Sequence, residues 1–121
     1  MKHLYAWIVG LMLVPAISNA QSFTSMDELL EDDYNSGGTV GVVDMNNDGY
    51  DDIVTLDNST DLKILYQTPN GFVEVAYGTV SGAQQWGYSV GDLKHDGHKD
   101  VIVGGNSDGV HYVAIDEMGT S

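Results

Sequence analysis

Asp44-Met45-Asn46-Asn47-Asp48-Gly49-Tyr50-Asp51-Asp52, running directly into Ile53-Val54-Thr55-Leu56, is the stretch that decides the fold. Counted from Asp44, side-chain oxygens fall at positions 1 (Asp44), 3 (Asn46), 5 (Asp48) and 9 (Asp52), and Tyr50 at position 7 offers a backbone carbonyl, the ligand order of a Ca²⁺ loop. Gly49 stands at position 6, where a chain turning around an ion needs the positive φ that glycine reaches without a Cβ clash. Three carboxylates in so short a loop repel one another, and a divalent cation relieves that repulsion. The competing reading is a solvated turn, since Asp, Asn and Gly favour turns for backbone reasons alone. The filled side-chain positions and the glycine in register favour the ion.

The pattern returns once. Asp92-Leu93-Lys94-His95-Asp96-Gly97-His98-Lys99-Asp100 precedes Val101-Ile102-Val103, so Asp92, Asp96, Gly97 and Asp100 follow Asp44, Asp48, Gly49 and Asp52 at a constant offset of 48 residues. Around both loops, short β-branched runs alternate with Gly, Asn and Asp clusters, the mark of an all-β chain. In the first repeat the strands are expected at Thr39–Val43, Ile53–Leu56, Leu62–Gln67 and Phe72–Tyr77, forming one antiparallel sheet. Four strands per repeat of this length are what a β-propeller blade requires. The expected layout is therefore an acidic lead-in over 21–38, a first blade over 39–86 and a second, incomplete blade over 87–121. Two blades leave sheet faces and edges unpaired, so further blades, in a longer chain or by oligomerisation, are expected.

The Asp-x-Asn-x-Asp-Gly-x-x-Asp-Ile-Val pattern, with its echo after Trp86-Gly87-Tyr88-Ser89-Val90-Gly91-Asp92, resembles FG-GAP/VCBS repeats, the blade units of integrin-α-like β-propellers. The resemblance covers about residues 39–121. It implies structural Ca²⁺ bound by Asp44, Asn46, Asp48, the Tyr50 carbonyl and Asp52, and a weaker second site at Asp92, Asp96, the His98 carbonyl and Asp100. The second loop departs from the pattern at position 3, where Lys94 is a cation and a donor only. Either water completes a weak site there, or the Lys94 ammonium takes the ion's place. A dockerin-like module shares the start of the loop, but dockerin loops run into helices whereas Ile53-Val54-Thr55 forms strand. An EF-hand needs a bidentate Glu at position 12, which here is Thr55.

Composition narrows the function. Residues 1–20 read as a secretory signal peptide, with Lys2 and His3 ahead of an apolar run from Leu4 to Val14 and small residues at Ser18 and Ala20. That run is shorter than the roughly 18 residues of a membrane span. Export places the chain outside the cell, or in the periplasm or at the surface of a Gram-negative bacterium, and the make-up looks like secreted bacterial members of the family. The formal net charge of −14 disfavours nucleic acid, which needs a basic face. There is no cysteine, hence no disulfide, and bound Ca²⁺ would stabilise an exported chain instead.

The remaining candidates are weaker. Ser25-Met26-Asp27-Glu28 has capping-box spacing and predicts a short acidic helix over 27–33. Trp86 and Tyr88 are expected to pack between blades rather than form a glycan platform. His95 and His98 are expected at the surface, and His111 shows no evident partner in sequence. Asn58-Ser59-Thr60 reads as a turn rather than a glycosylation acceptor. No nucleophile elbow, His-Glu-x-x-His or phosphate loop is present. The expected function is a binding or adhesion module for a protein or glycan at a cell surface or matrix, without catalysis; the alternative is an accessory domain of a larger secreted enzyme.

Overall fold

The structure, a computed structural model, describes residues 24–30, 32–37 and 39–116. The signal peptide expected over 1–20 lies outside the described residues. Among the described residues, seven strands form two antiparallel sheets. The first holds β1 (Val40–Val43), β2 (Asp52–Asp57), β3 (Asp61–Thr68) and β4 (Gly71–Thr79) in sequential order, and the second holds β5 (Gln85–Gly91), β6 (Asp100–Gly105) and β7 (Val110–Val113). The four strands expected in the first repeat are present, each within about two residues of its expected ends. Asn58, Ser59 and Thr60 turn β2 into β3, with Asn58 and Ser59 both at positive φ.

The repeat register shows how the sheets pack. Buried side chains from both sheets share one core: Val54 and Leu56 of β2 and Leu62, Ile64 and Tyr66 of β3 meet Val101 and Val103 of β6. Along a strand successive side chains point to opposite faces. Val54 corresponds through the 48-residue offset to Ile102, not to Val101, and Val101 corresponds to Ile53. The first sheet thus uses one face of the repeat (its leading face, with Val54 and Leu56) and the second sheet uses the other (its trailing face, with Val101 and Val103). Such head-to-tail packing is heterologous and extends in one direction, as in a propeller, whereas a two-fold sandwich would bury the same face twice.

Two close contacts at this interface explain particular residues. Tyr88 packs on the shared core and its hydroxyl donates to the Val54 carbonyl at 3.3 Å. Gly41 makes that approach possible, because a Cβ there would collide with the Tyr88 ring end. Trp86, expected to pack in the same way, does not: β5 bulges at this residue against β6, which turns its side chain out to 67% exposure.

The lead-in also differs from expectation. Residues Asp27–Leu29 form a single 3-10 turn with Met26 at the N-cap and no side-chain cap, so neither the capping box nor the acidic helix forms. A segment with no buried residue in its turn has no packed apolar face to offset the cost of nucleating a helix. Instead the chain continues to Tyr34, whose hydroxyl donates to Glu74 at 2.6 Å and whose ring lies 5.1 Å from the Lys63 ammonium.

Candidate metal centre

Both loops occupy the same place in their sheets, joining β1 to β2 and β5 to β6. Their backbones match residue for residue. Asn47 and Gly49 have φ of 61° and 89°, and His95 and Gly97, each 48 residues on, have 58° and 88°. In the first loop the Asp44 carboxylate accepts the amides of Asp48 at 3.2 Å and Gly49 at 3.1 Å; in the second, Asp92 accepts those of Asp96 and Gly97, both at 3.0 Å. Position 5 repeats as well, with Asp48 accepting from the Tyr50 amide at 2.8 Å and Asp96 from the His98 amide at 3.0 Å. Position 1 therefore shapes the turn while keeping lone pairs for a further partner, since each carboxylate oxygen has two.

Position 9 is built differently. Asp52 and Asp100 are fully buried at the first residue of β2 and β6. Asp52 accepts the Met45 amide at the start of its loop and the Gln67 amide near the end of β3, both at 2.8 Å. Asp100 accepts the amides of Leu93 at 3.1 Å, Lys94 at 3.3 Å and Ile115 at 3.1 Å. Each carboxylate staples its loop to a more distant part of the chain and satisfies amides that would otherwise be buried without partners.

The family model for the FG-GAP-like repeat matches residues 19–103. The chain belongs to the FG-GAP-like repeat family. No curated protein and no solved structure matches it. The matched span takes in both loops of this FG-GAP chain.

The two FG-GAP loops part company in their electrostatics. Burial pushes the Asp52 carboxyl up; the Gln67 and Met45 amides pull it down, and the charges of Asp48 and Asp44 push it up again, leaving it above the ordinary carboxylate range. Burial also pushes Asp100 up, but hydrogen bonds from Ile115, Leu93, Tyr112 and Lys94 outweigh it, and its carboxyl lies below that range. The difference lies in the hydrogen bonds each carboxylate accepts, and the second loop also holds a cation of its own at position 3. Lys94 places its ammonium 2.5 Å from Asp116, 3.1 Å from Asp96 and 3.8 Å from Asp100, and Asp116 first, then Asp96, hold it protonated well above the ordinary lysine range. The His98 amide and then Lys94 lower Asp96 in turn.

In the first loop Asn46 stands where Lys94 stands in the second, and its amide donates to Asp48 at 2.9 Å while its carbonyl accepts the Asp48 amide at 3.1 Å. Among the described residues no three or more Asp, Glu or His side chains converge as they stand into a metal-holding group. The donors of the first loop nonetheless fit a hard cation, being oxygens on a turned backbone with like charges crowding Asp52. In the second loop Asp96 and Asp100 already face an ammonium.

Three participants escaped sequence reading. Asp116 joins Lys94 from beyond β7, and no spacing rule links it to the loop. Lys99 crosses to the first loop, where its ammonium bonds the Asp44 carbonyl and the Asn47 side-chain oxygen, the latter at 2.7 Å. Asp108 brings a carboxylate oxygen within 3.4 Å of the buried His111 Nε2, without a hydrogen bond between them. Between the two loops, above Met45, Tyr66 and Ile115, a cleft of about 380 Å³ is rimmed by Asn46, Asp48 and His98. His98 is half-buried there and Tyr50 is exposed.

Proposed function

We propose that this FG-GAP chain is a calcium-stabilised, exported propeller segment that serves as a non-catalytic binding module for a protein or glycan outside the cell. The observation that carries the reading is the first loop: Asp44, Asn46 and Asp48 on one turn, beside a buried Asp52 whose ionised form is penalised first by burial and further by the charges of Asp48 and Asp44. Asp44, Asn46, Asp48, Asp52 and the Tyr50 carbonyl would hold the Ca²⁺, which supplies positive charge and ties β1 to β2. The second loop, Asp92, Asp96, Asp100 and the His98 carbonyl, carries its own cation in Lys94 and takes no tight ion. Absence of catalysis is supported by the employment of the buried acids: Asp52 and Asp100 hold backbone amides, not one another or a nucleophile. Calorimetric titration of the purified chain with Ca²⁺ tests the reading. One tight site per chain is expected; no heat of binding, or two equivalent tight sites, would overturn it.

A further inference from the structure

The head-to-tail packing leaves two faces of the repeat unused inside the chain, and the structure treats them in opposite ways. On the trailing face of the first sheet, Thr55 and Leu65 are each 2% exposed. What covers them is the lead-in: Leu30, Tyr34 and Ser36 close over Ile53, Thr55 and Leu65. The cover is pinned by polar contacts at its end, where the Asn35 amide donates to Asp57 at 3.0 Å and the Asn58 amide donates to the Asn35 carbonyl at 2.9 Å. It fits loosely, for a space of about 230 Å³ remains beneath it and the Thr55 hydroxyl is buried there without a partner.

On the leading face of the second sheet the reverse holds. Val54, Leu56, Leu62 and Ile64, all fully buried on the leading face of the first sheet, correspond through the 48-residue offset to Ile102, Gly104, Val110 and Tyr112. The second set keeps the apolar or small character of the first, yet Val110 and Tyr112 are 75% and 48% exposed. Gly87, Ser89, Ile102, Gly104 and Val110 line an open groove of about 280 Å³. The surface that this face is shaped to meet is already in the chain, since leading face packs on trailing face between the two sheets.

We propose that residues 24–30 and 32–37 form a displaceable cap on a self-association surface: once the cap is lifted, the trailing face of the first sheet in one copy receives the leading face of the second sheet in another. The contact is heterologous, so it propagates or closes into a ring. The cap sets the threshold, because association must first undo the Tyr34, Asn35 and Asn58 contacts, and the strong negative charge opposes it at low salt.

Sedimentation of the full chain tests this, comparing wild type, a cap-release variant (Tyr34→Ala with Asn35→Pro) and the same variant carrying Val110→Asp, each checked for a folded β spectrum. The release variant is expected at twice the monomer mass or more, rising with salt, and Val110→Asp is expected to return it to monomer. A folded release variant that stays monomeric, or association indifferent to Val110→Asp, would refute the cap. Should the release variant not fold, hydrogen exchange on wild type across a concentration series decides. Association that strips protection from the Asn35 and Asn58 amides supports the cap; association leaving both protected, or none at any concentration, overturns it.

Discussion

The Lys99 ammonium and the Asn47 side chain join the two loops: Lys99 donates to the Asn47 oxygen at 2.7 Å, and the Asn47 amide donates back to the Gly97 carbonyl at 3.0 Å. Since Lys99 also bonds the Asp44 carbonyl, one side chain from the second repeat grips two residues of the first loop. A charge-assisted hydrogen bond contributes more than a neutral one. Lys99→Met, which keeps the stem and removes the ammonium, is therefore expected to lower stability by about 1–2 kcal/mol in urea denaturation. Combining it with Asn47→Ala should cost less than the two separate losses together, because both remove one shared contact. Full additivity would show that the latch does not form.

Asp100 and Asp52 look equivalent in sequence and should behave differently on mutation. Both staple buried amides, but Asp100 is ionised in a setting that favours its charge and Asp52 in one that penalises it. Without Ca²⁺, Asp100→Asn should destabilise by about 2–3 kcal/mol, from loss of charge-strengthened acceptors for buried amides, and Asp52→Asn clearly less. Added Ca²⁺ should stabilise wild type and fail to stabilise Asp52→Asn. Equal losses in both variants, unchanged by Ca²⁺, would contradict the assigned electrostatics.

The same shifts set the acid response. Asp57 lies below the ordinary range, chiefly through the Asn35 amide and also through Lys63 at 3.1 Å; Asp96 and Asp100 lie below it too. A carboxyl whose folded pKa is depressed adds stability above its unfolded pKa, near 4, and that stability is lost as pH falls through the folded value. Asp52, raised in the fold, acts in the opposite sense: its contribution is fully present below the unfolded value and fades as pH rises through the folded one. Three groups against one predict that metal-free stability falls below about pH 4. Asp57→Asn should flatten that fall, as read from melting temperature against pH.

Strand positions were legible because β-branched runs and Asp/Gly turns report local preference, and the loops because a cation site constrains type and spacing together. What stayed hidden depends on which groups meet across the fold. Trp86 reads as a packing aromatic, but a one-residue bulge set by pairing with Gly104 and Gly105 turns it outward. Asp52 and Asp100 read as plain ligands, whereas their amide partners Gln67 and Ile115 lie 15 residues away in each case. The lead-in reads as solvated acid because its apolar residues, Leu30 and Tyr34, are too sparse to form a pattern, yet they are the ones that cover Leu65.

Ion dependence of stability should reside in the first loop. An ion that binds only the folded chain stabilises by about 2.7 kcal/mol at a hundredfold excess over Kd, and each kcal/mol moves the melting temperature of a domain this size by about 4–8 °C. Wild type should thus melt ten or more degrees higher in saturating Ca²⁺ than in chelator, by this order-of-magnitude reckoning. Asp48→Ala removes position 5 and should abolish the difference. A melting temperature indifferent to Ca²⁺ would remove the ion from the fold's stability.

Lys94 supplies the sharpest contrast, since one substitution should change what the second loop holds. Lys94→Asn restores an oxygen at position 3 and frees Asp96 and Asp116 from the ammonium that lies 3.1 Å and 2.5 Å from them. In chelator the variant should melt below wild type, because Asp92, Asp96 and Asp100 then repel one another without a cation among them. In Ca²⁺ it should regain that loss and bind a second ion per chain by calorimetry, where wild type binds one. Lys94→Met, with neither charge nor oxygen, should show the loss without the second ion. If Lys94→Asn gains no site, the second loop is shaped by its backbone alone, and Lys94 is not standing in for a metal.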